Sequence, residues 1–276
     1  MSIKFLLLLL AVPLLRAPAL AADFSLTTLP NASIGYRADG SAMPQSYAVH
    51  FSGETSPVYR LEVRQKPSAD GYWSLAFWHA GEFGGGAYGV ETIPDATTGG
   101  TYQVNKLNVG FTNLFLTYRR PLANYPVEFL ASVSMVRQIF RRKQFIVDGV
   151  DLRPSGLDDV DETSAEGVGL GLAGRHGGRF YFRWETLFNY YIQIFDAQTD
   201  CSAGQIFLAE AGPGARLTEN LTIEAGGLWQ YWFILRQGNR RLFADTATSG
   251  AIISWNRNQT LTSGAYLRLN YRYGGK

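Results

Sequence analysis

The chain has 276 residues, of which 46% are hydrophobic and only 17% are charged. The 25 basic residues nearly balance the 23 acidic ones, so there is no positive excess of the kind that nucleic-acid binding requires, and we expect no nucleic-acid partner. A helical membrane protein would contain uninterrupted apolar runs of about 20 residues, and none follows the first 22 positions.

The N-terminus has the three parts of a secretory signal peptide. Lys4 is positively charged, the segment Phe5 to Leu15 is mostly apolar, and Ala19-Leu20-Ala21 is a small-x-small cleavage site. The apolar run of about 11 residues is too short to span a bilayer as a helix, although an uncleaved helical anchor is the alternative. We therefore expect residues 1–22 to be a signal peptide and residues 23–276 to form a single domain.

Alternation of apolar and polar residues is the main pattern of the remaining chain. Between Arg179 and Phe195 the even positions are nearly all apolar, whereas the odd positions carry charges and amides. Successive side chains of a strand point to opposite faces, so this segment is predicted to be one long strand. Strands of soluble proteins usually have about 3–10 residues, whereas a membrane strand needs about 9–11 residues in lipid alone.

The same alternation predicts about 12 strands, within a range of about 10 to 14. The predicted strands lie near 31–38, 46–53, 57–66, 72–79, 104–119, 126–141, 164–174, 179–195, 203–213, 219–236, 249–256 and 260–273. Reversals are predicted at Pro121–Pro126, Gly174–Gly178, Leu217–Asn220 and Arg257–Gln259.

Long and short connections alternate in this arrangement, but the C-terminus then falls on the side of the long loops. A further strand at 240–247, with the segment 31–38 outside the barrel, would restore the parity expected for a barrel with short periplasmic turns.

Three features favour a membrane barrel over a soluble β-sandwich or a lipocalin-like barrel. The apolar faces are long and aromatic, and the opposite faces are charged or contain glycine, which suits a polar barrel interior. Several aromatic residues lie toward strand ends, where interfacial girdles would be: Trp73, Trp78, Tyr118, Tyr271 and Tyr273. The fold class is therefore predicted to be all-β, an antiparallel transmembrane β-barrel, with the soluble folds as the alternative.

Two segments resemble those of bacterial outer-membrane barrels. The last strand, Gly264 to Tyr273, resembles their C-terminal assembly signal, and Ala215 to Ile223 is similar to the periplasmic hairpins of small opacity-type barrels. Members usually end on an aromatic residue, whereas Gly274-Gly275-Lys276 follows here. The resemblance implies an outer-membrane location, with outer-membrane lipid and the barrel assembly machinery as partners.

The alternation also predicts which charged residues line the interior. The charged side chains predicted to point inward are Arg60, Glu62, Arg64, Glu128, Arg183, Glu185, Glu224, Arg268 and Arg272, and on the strand of the first three Tyr59, Leu61 and Val63 point outward. The predicted lumen-lining residues are Arg60, Arg64, Arg183, Glu185, Arg268 and Arg272. Mixed charges can either lock into a salt-bridged plug or line a narrow channel. The sequence thus predicts a passive small-solute channel or a structural barrel, without a cofactor.

One pair of residues suggests a different function. His50 and Ser52 have the His-x-Ser spacing that outer-membrane lipid hydrolases use, because residues two apart on a strand share a face and the histidine can act as a base. A lipid-modifying hydrolase is therefore the alternative function. The alternation places both residues on the polar side, however, whereas those hydrolases work at the lipid face, so a solvated interior histidine is the competing interpretation.

The remaining polar groups do not indicate a metal site. His79 and Glu82 lie close in sequence, but they supply two ligands where three or four are needed. The acidic segment 158–162 could hold a divalent cation loosely or be a plain solvated loop. Cys201 is the only cysteine, so the chain has no internal disulfide.

Overall fold

The computed structural model describes residues 22–42, 45–81, 87–94, 101–123, 125–196, 200–237, 239–241 and 252–273. In these ranges there are thirteen strands and one short 3-10 turn, Arg153–Ser155. The strands are β1 Ala22–Ala42, β2 Gln45–Gln65, β3 Tyr72–Ala80, β4 Ala87–Pro94, β5 Thr101–Pro121, β6 Val127–Val147, β7 Val150–Asp151, β8 Asp158–Gly177, β9 Phe180–Asp196, β10 Asp200–Arg216, β11 Leu221–Gln237, β12 Asn239–Arg241 and β13 Ile252–Tyr273.

Ten of these strands form a closed antiparallel barrel. Each pairs with its neighbours in the order β1, β2, β3, β5, β6, β8, β9, β10, β11 and β13, and β13 pairs back onto β1. The three other strands extend the wall: β4 pairs with the first half of β5, β7 with the end of β6, and β12 with the start of β13. Closure satisfies the backbone hydrogen bonds of every strand in the ring, which is the condition for placing a sheet in lipid.

The two ends of the barrel differ in their connections. The near end carries the start of β1 at Ala22, the end of β13 at Tyr273 and the short connections 66–71, 122–126, 178–179 and 217–220. At the distal end β3 and β5, β6 and β8, and β11 and β13 are separated by longer stretches of sequence, whereas β1 and β2, and β9 and β10, are separated by shorter ones. In outer-membrane barrels the short turns are periplasmic and the longer loops extracellular.

The ring has ten strands, and not about 12, because two predicted pairs of strands are continuous. The segments near 46–53 and 57–66 form β2, and those near 249–256 and 260–273 form β13. The predicted turn at Arg257–Gln259 is wrong, because β1 and β11 pair with this stretch from either side and their ladder bonds outweigh the local turn preference. Pro57 lies in a register shift between β1 and β2, where no ladder donor is needed.

Because these strands are continuous, the ring has an even number of strands, and the first strand begins at the same end of the barrel at which the last strand ends. The start of β1 at Ala22 and the end of β13 at Tyr273 both lie at the near end with the short turns. The segment 31–38 belongs to β1 inside the ring, and the extra strand suggested at 240–247 is only the short β12 within the described residues.

The outer surface carries an apolar belt, which is formed by alternate residues of the ring strands. Leu170 of β8 is 59% exposed, and the residues on either side of it, Gly169 and Gly171, face inward. Exposed members of the belt include Phe24, Leu26, Leu61, Phe77, Phe129, Leu170, Leu172, Phe182, Phe188, Leu267 and Leu269. So much exposed apolar surface on a folded domain marks a contact with lipid or another apolar partner.

Aromatic side chains flank the belt at the near end. Trp73 and Tyr118 lie side by side with ring centroids 5.2 Å apart, and Tyr271 and Tyr273 are exposed at the end of β13. The prediction for Trp78 is wrong, because its side chain is buried inside the barrel with the Arg60 guanidinium 4.8 Å from its ring centroid. Across the described ranges, no helix is long and apolar enough to cross a membrane.

Candidate functional site

Ten charged side chains meet inside the near half of the barrel, and we call them the charged layer. Five are arginines and five are glutamates, which seven of the ten ring strands contribute. The members are Arg60, Glu62, Arg64, Arg119, Glu128, Arg183, Glu185, Glu210, Glu224 and Arg268. Alternation aims them inward, because their neighbours in sequence are the exposed residues of the apolar belt.

The ion pairs of Arg60 span the interior. Arg60 on β2 donates to Glu210 on β10 at 3.0 Å, and lies 3.6 Å from Glu185 on β9, which is on the opposite side of the ring. It also pairs with Glu62, its neighbour on the same strand face, at 2.7 Å. These contacts therefore join opposite walls of the barrel at this level.

Arg268 makes four side-chain hydrogen bonds in the layer. Its guanidinium donates to Glu210 at 2.6 and 2.9 Å, to Glu224 at 3.1 Å and to the Thr27 hydroxyl at 2.7 Å. Arg183 donates to the same Glu210 and, at 2.6 Å, to Glu185. Arg268 is 1% exposed, so the free energy of its charge depends on these partners and not on water.

Arg119 connects the layer to the other side of the barrel. It donates to Glu185 at 2.8 Å and to the Ser74 hydroxyl at 3.1 Å, and it lies 3.4 Å from Glu128. Glu128 also accepts a bond of 2.7 Å from the Tyr72 hydroxyl. The equal number of opposite charges, each with at least one partner, lets the interior hold ten ionised groups at a tolerable desolvation cost.

An apolar layer fills the barrel on the distal side of the charged layer. The rings of Tyr36 on β1 and Phe140 on β6 have centroids 4.7 Å apart, although these strands lie far apart in the ring. The amide of Gln138 on β6 donates to the hydroxyl of Thr260 on β13 at 2.6 Å, and these strands are on opposite sides. The aromatic buried members are Tyr36, Trp78, Phe111, Phe115, Phe140, Tyr191, Trp232 and Tyr266.

This apolar layer differs from the expectation of an interior that is polar throughout. Trp78, Phe115 and Leu187 lie on the same strand faces as Ser74, Arg119 and Glu185, so each face changes from polar to apolar along its length. Alternation predicts which side chains point inward, but it does not predict which side chains they contact across the lumen.

A smaller polar cluster lies beyond the apolar layer. Arg142 donates to Glu91 at 2.7 and 3.3 Å, and Glu91 also accepts from the Asn105 amide at 3.0 Å. The described part of the interior thus contains three successive layers: charged, apolar and polar.

The near end opens into a cavity of about 380 Å³ whose floor is the charged layer. Arg64, Arg183 and Glu224 of the layer reach this cavity, and Arg175 and Tyr125 line its rim. The guanidinium of Arg175 is stacked 3.4 Å from the ring centroid of Tyr181.

Most of the predicted lumen-lining residues lie in the charged layer. Arg60, Arg64, Arg183, Glu185 and Arg268 are all members, and they are bound to carboxylates or guanidinium groups. Arg272 instead lies at the rim of the near end, where its half-exposed side chain is 3.1 Å from Asp23.

Sequence reasoning missed two central members of the layer, Arg119 and Glu210. Glu210 shares its strand face with Ile206, Leu208 and Gly212, so the face resembles an apolar one. Arg119 is next to Arg120 at the end of a strand. The only sign that its side chain faces inward is its even spacing from Asn113 and Thr117 on the same strand.

The predicted catalytic pair lies outside what the structure describes at the level of side chains. The backbone of His50 pairs with Arg37, and that of Ser52 pairs with Gly35. Glu82 and the side chain of Cys201 lie outside the described residues as well. His79 is bonded to the Thr112 hydroxyl at 3.2 Å, and no group of three or more metal-ligating side chains occurs among the residues that were described.

Comparison with known proteins identifies the fold. No family model and no curated protein matches the chain. Among solved structures, the outer membrane protease OmpT from Escherichia coli is similar with a TM-score of 0.55, at 12% identity, over 94% of this chain and 99% of that one. The transport unit of the autotransporter AIDA-I from Escherichia coli (9% identity, 91% of each chain, TM-score 0.37) and OprG from Pseudomonas aeruginosa (9%, 93% and 98%, 0.36) also match.

The chain thus has the fold of the bacterial outer-membrane β-barrels, which confirms the resemblance seen in its sequence. The outer-membrane location, which the sequence predicts, belongs to the proposed function. At 12% identity the likeness concerns the fold and not the activity.

Proposed function

We propose that the protein is a closed, structural outer-membrane barrel and that its described interior does not conduct solutes. The observation that carries this proposal is the set of contacts between opposite walls, such as Arg60 to Glu185 at 3.6 Å and Gln138 to Thr260 at 2.6 Å. A passive channel needs a continuous aqueous path, and charged and apolar layers occupy its place here.

Ring size supports the same function. An eight-stranded barrel is just wide enough for side chains to fill it, whereas barrels of 16 or more strands leave an aqueous channel. A ten-stranded ring with large inward residues such as Trp78, Phe140 and Trp232 lies near the filled end of this range. The proposal includes export of the protein by its N-terminal signal peptide and its insertion into the membrane by the barrel assembly machinery.

Conductance in planar bilayers tests the proposal. The mature protein, refolded in detergent and inserted into a bilayer, should give no steady current, while a porin prepared in the same way serves as the positive control. Flotation of the same sample with liposomes after an alkaline wash verifies that it has inserted. A steady, ohmic current from the inserted protein would contradict the closed barrel and restore the passive channel.

A further inference from the structure

A groove lies on the outer surface of the barrel, where β5, β6 and β8 continue past the apolar belt toward the distal end. It encloses about 300 Å³ and is lined by Gly81, Gly110, Arg137, Ile139, Arg141 and Val160, among others. Two glycines create it: a Cβ on Gly81 would lie only 3.0 Å from the Gly110 Cα. The groove therefore has apolar walls at Ile139 and Val160 and two guanidinium groups at its edge.

The groove begins where the belt ends. On the outward face of β6, the apolar residues Val133 and Met135 are followed by Arg137, Ile139 and Arg141. Arg137 is fixed to Glu162 on β8 at 2.6 Å, and a half-exposed ion pair of this kind belongs in the head-group region and not in hydrocarbon. A lipid at this position would have its chains on the belt and its head group at the groove.

The outward charges around the groove do not balance within the described residues. Four cations lie there, and two of them have acidic partners: Arg137 with Glu162 and Lys143 with Asp158 at 3.4 Å. Arg141 and Lys106 are exposed and have no ion-pair partner in the described ranges. An excess of positive charge at the edge of an apolar surface attracts anionic lipid head groups.

The strand register brings two of these cations together. Lys106 on β5 is directly opposite Lys143 on β6, and Asn108 is opposite Arg141 one step nearer the belt. Like charges directly opposite each other destabilise a sheet unless an anion lies between them. Asp158 contacts Lys143 from β8, on the other side of β6, and a phosphate bound between Lys106 and Lys143 would reduce the repulsion that remains.

We propose that this groove binds a membrane lipid whose phosphate-bearing head group is anionic, in preference to a zwitterionic phospholipid. The phosphate lies between Lys106, Lys143 and Arg141, and an acyl chain follows Ile139 toward Met135 and the apolar belt. The inference rests on the proposed membrane location of the barrel, which it extends by naming a lipid class and a site.

Lipid binding by the full protein in detergent micelles tests the proposal. Native mass spectrometry would compare phosphatidic acid with phosphatidylcholine as the added lipid. The variant Lys106→Gln/Arg141→Gln should weaken binding of phosphatidic acid by at least about tenfold, because it removes two cations from the head-group site. The matched control, Lys66→Gln/Arg120→Gln, removes the same charge from exposed positions near the opposite end and should leave binding unchanged.

Three results would overturn the inference. Equal retention of the two lipids would show that the head group is not recognised, and equal loss in the control variant would show that only net charge matters. Displacement of phosphatidic acid by millimolar inorganic phosphate would mean a site for free phosphate. Failure of the unmodified protein to insert into liposomes would instead defeat the membrane location and this inference together, so the two failures are distinguishable.

Discussion

At the scale of single residues, burial makes each member of the charged layer dependent on its partners. Arg268 holds two carboxylates, Glu210 and Glu224, at distances of 2.6 to 3.1 Å. Replacing one partner of a buried pair is more harmful than replacing the whole group by apolar residues, because an uncompensated charge remains in a medium of low polarity. The loss of one member is therefore expected to cost more than the intact layer contributes to net stability.

We predict that Arg268→Met lowers the free energy of unfolding by about 3–5 kcal/mol, since Glu210 and Glu224 lose a buried counter-charge. The measurement is urea-induced unfolding in lipid vesicles, followed by the gel shift between unboiled and boiled samples. Arg120→Met is the control, because Arg120 is exposed on the outward face at the near end. Equal stability of the two variants would mean that the charged layer has no structural role.

At the scale of single elements, the contact of β8 with β9 depends on glycine. Gly171 faces inward, and a Cβ built on it would lie 2.2 Å from the Thr186 carbonyl oxygen of β9. Any side chain at this position must push the two strands apart. Gly167, Gly169 and Gly171 therefore lie where β8 is too close to the backbone of β9 to carry side chains. Strand propensities alone would count glycine as unfavourable at these positions.

We predict that Gly171→Ala destabilises the barrel and slows its refolding into lipid vesicles, because backbone and not a flexible side chain would meet the new methyl group. Gly227→Ala is the matched control, because Gly227 is on an outward face and a Cβ there would meet nothing within 4 Å. Refolding yield by gel shift is the measurement. A Gly171 variant that refolds like the Gly227 variant would contradict the close approach of β8 and β9.

The hairpin tip beyond β6 carries an exposed ion pair with a shifted pKa. Hydrogen bonds from the Arg153 side chain, and then from its backbone N–H, lower the pKa of Asp151 to about 2. A carboxylate whose folded pKa lies below its ordinary value of about 3.9 stabilises the folded tip above that value and loses this contribution as pH falls toward the folded pKa.

We predict that Asp151 titrates near its lowered pKa in the intact protein and that Arg153→Ala returns its midpoint toward about 3.9. Carbon-detected NMR of the carboxyl group in micelles would measure both values. The local structure of the tip should persist through pH 4 and loosen only in stronger acid. A normal midpoint for Asp151 in the unmodified protein would disprove the pairing.

At the scale of the whole molecule, an apolar outer belt and a filled interior with charged, apolar and polar layers differ from the arrangement of a soluble domain. Leu170 lies in the middle of the apolar belt, whereas Val150 lies on β7 at the distal tip, and both are at least half exposed. We expect Leu170 to face hydrocarbon and Val150 to face water.

We predict that Leu170→Arg lowers stability in lipid by about 2–4 kcal/mol, whereas Val150→Arg changes it by no more than about 1 kcal/mol, because the cost of an arginine depends on membrane depth. Urea unfolding of both variants in vesicles measures the difference. If they proved equally stable, the apolar belt would not be in hydrocarbon.

The sequence by itself determined the strand period and, through it, the face of each side chain. Arg60, Glu62 and Arg64 were predicted to face inward with Tyr59, Leu61 and Val63 outward, and their burial agrees. Period two is a local property that a few consecutive residues define, so it can be recognised without knowing any neighbour. The all-β class and the antiparallel barrel follow from the same pattern.

Only the tertiary structure decided how many strands the ring has and what each inward charge meets. Local turn signals near Pro57 and Arg257 divided β2 and β13, but pairing with strands distant in sequence kept both continuous. Arg60 pairs with Glu210, which is 150 residues away in the sequence, and no local pattern predicts such a pairing. Closure is a non-local property: it fixes the width of the lumen, and that width decides whether inward side chains line a channel or fill it.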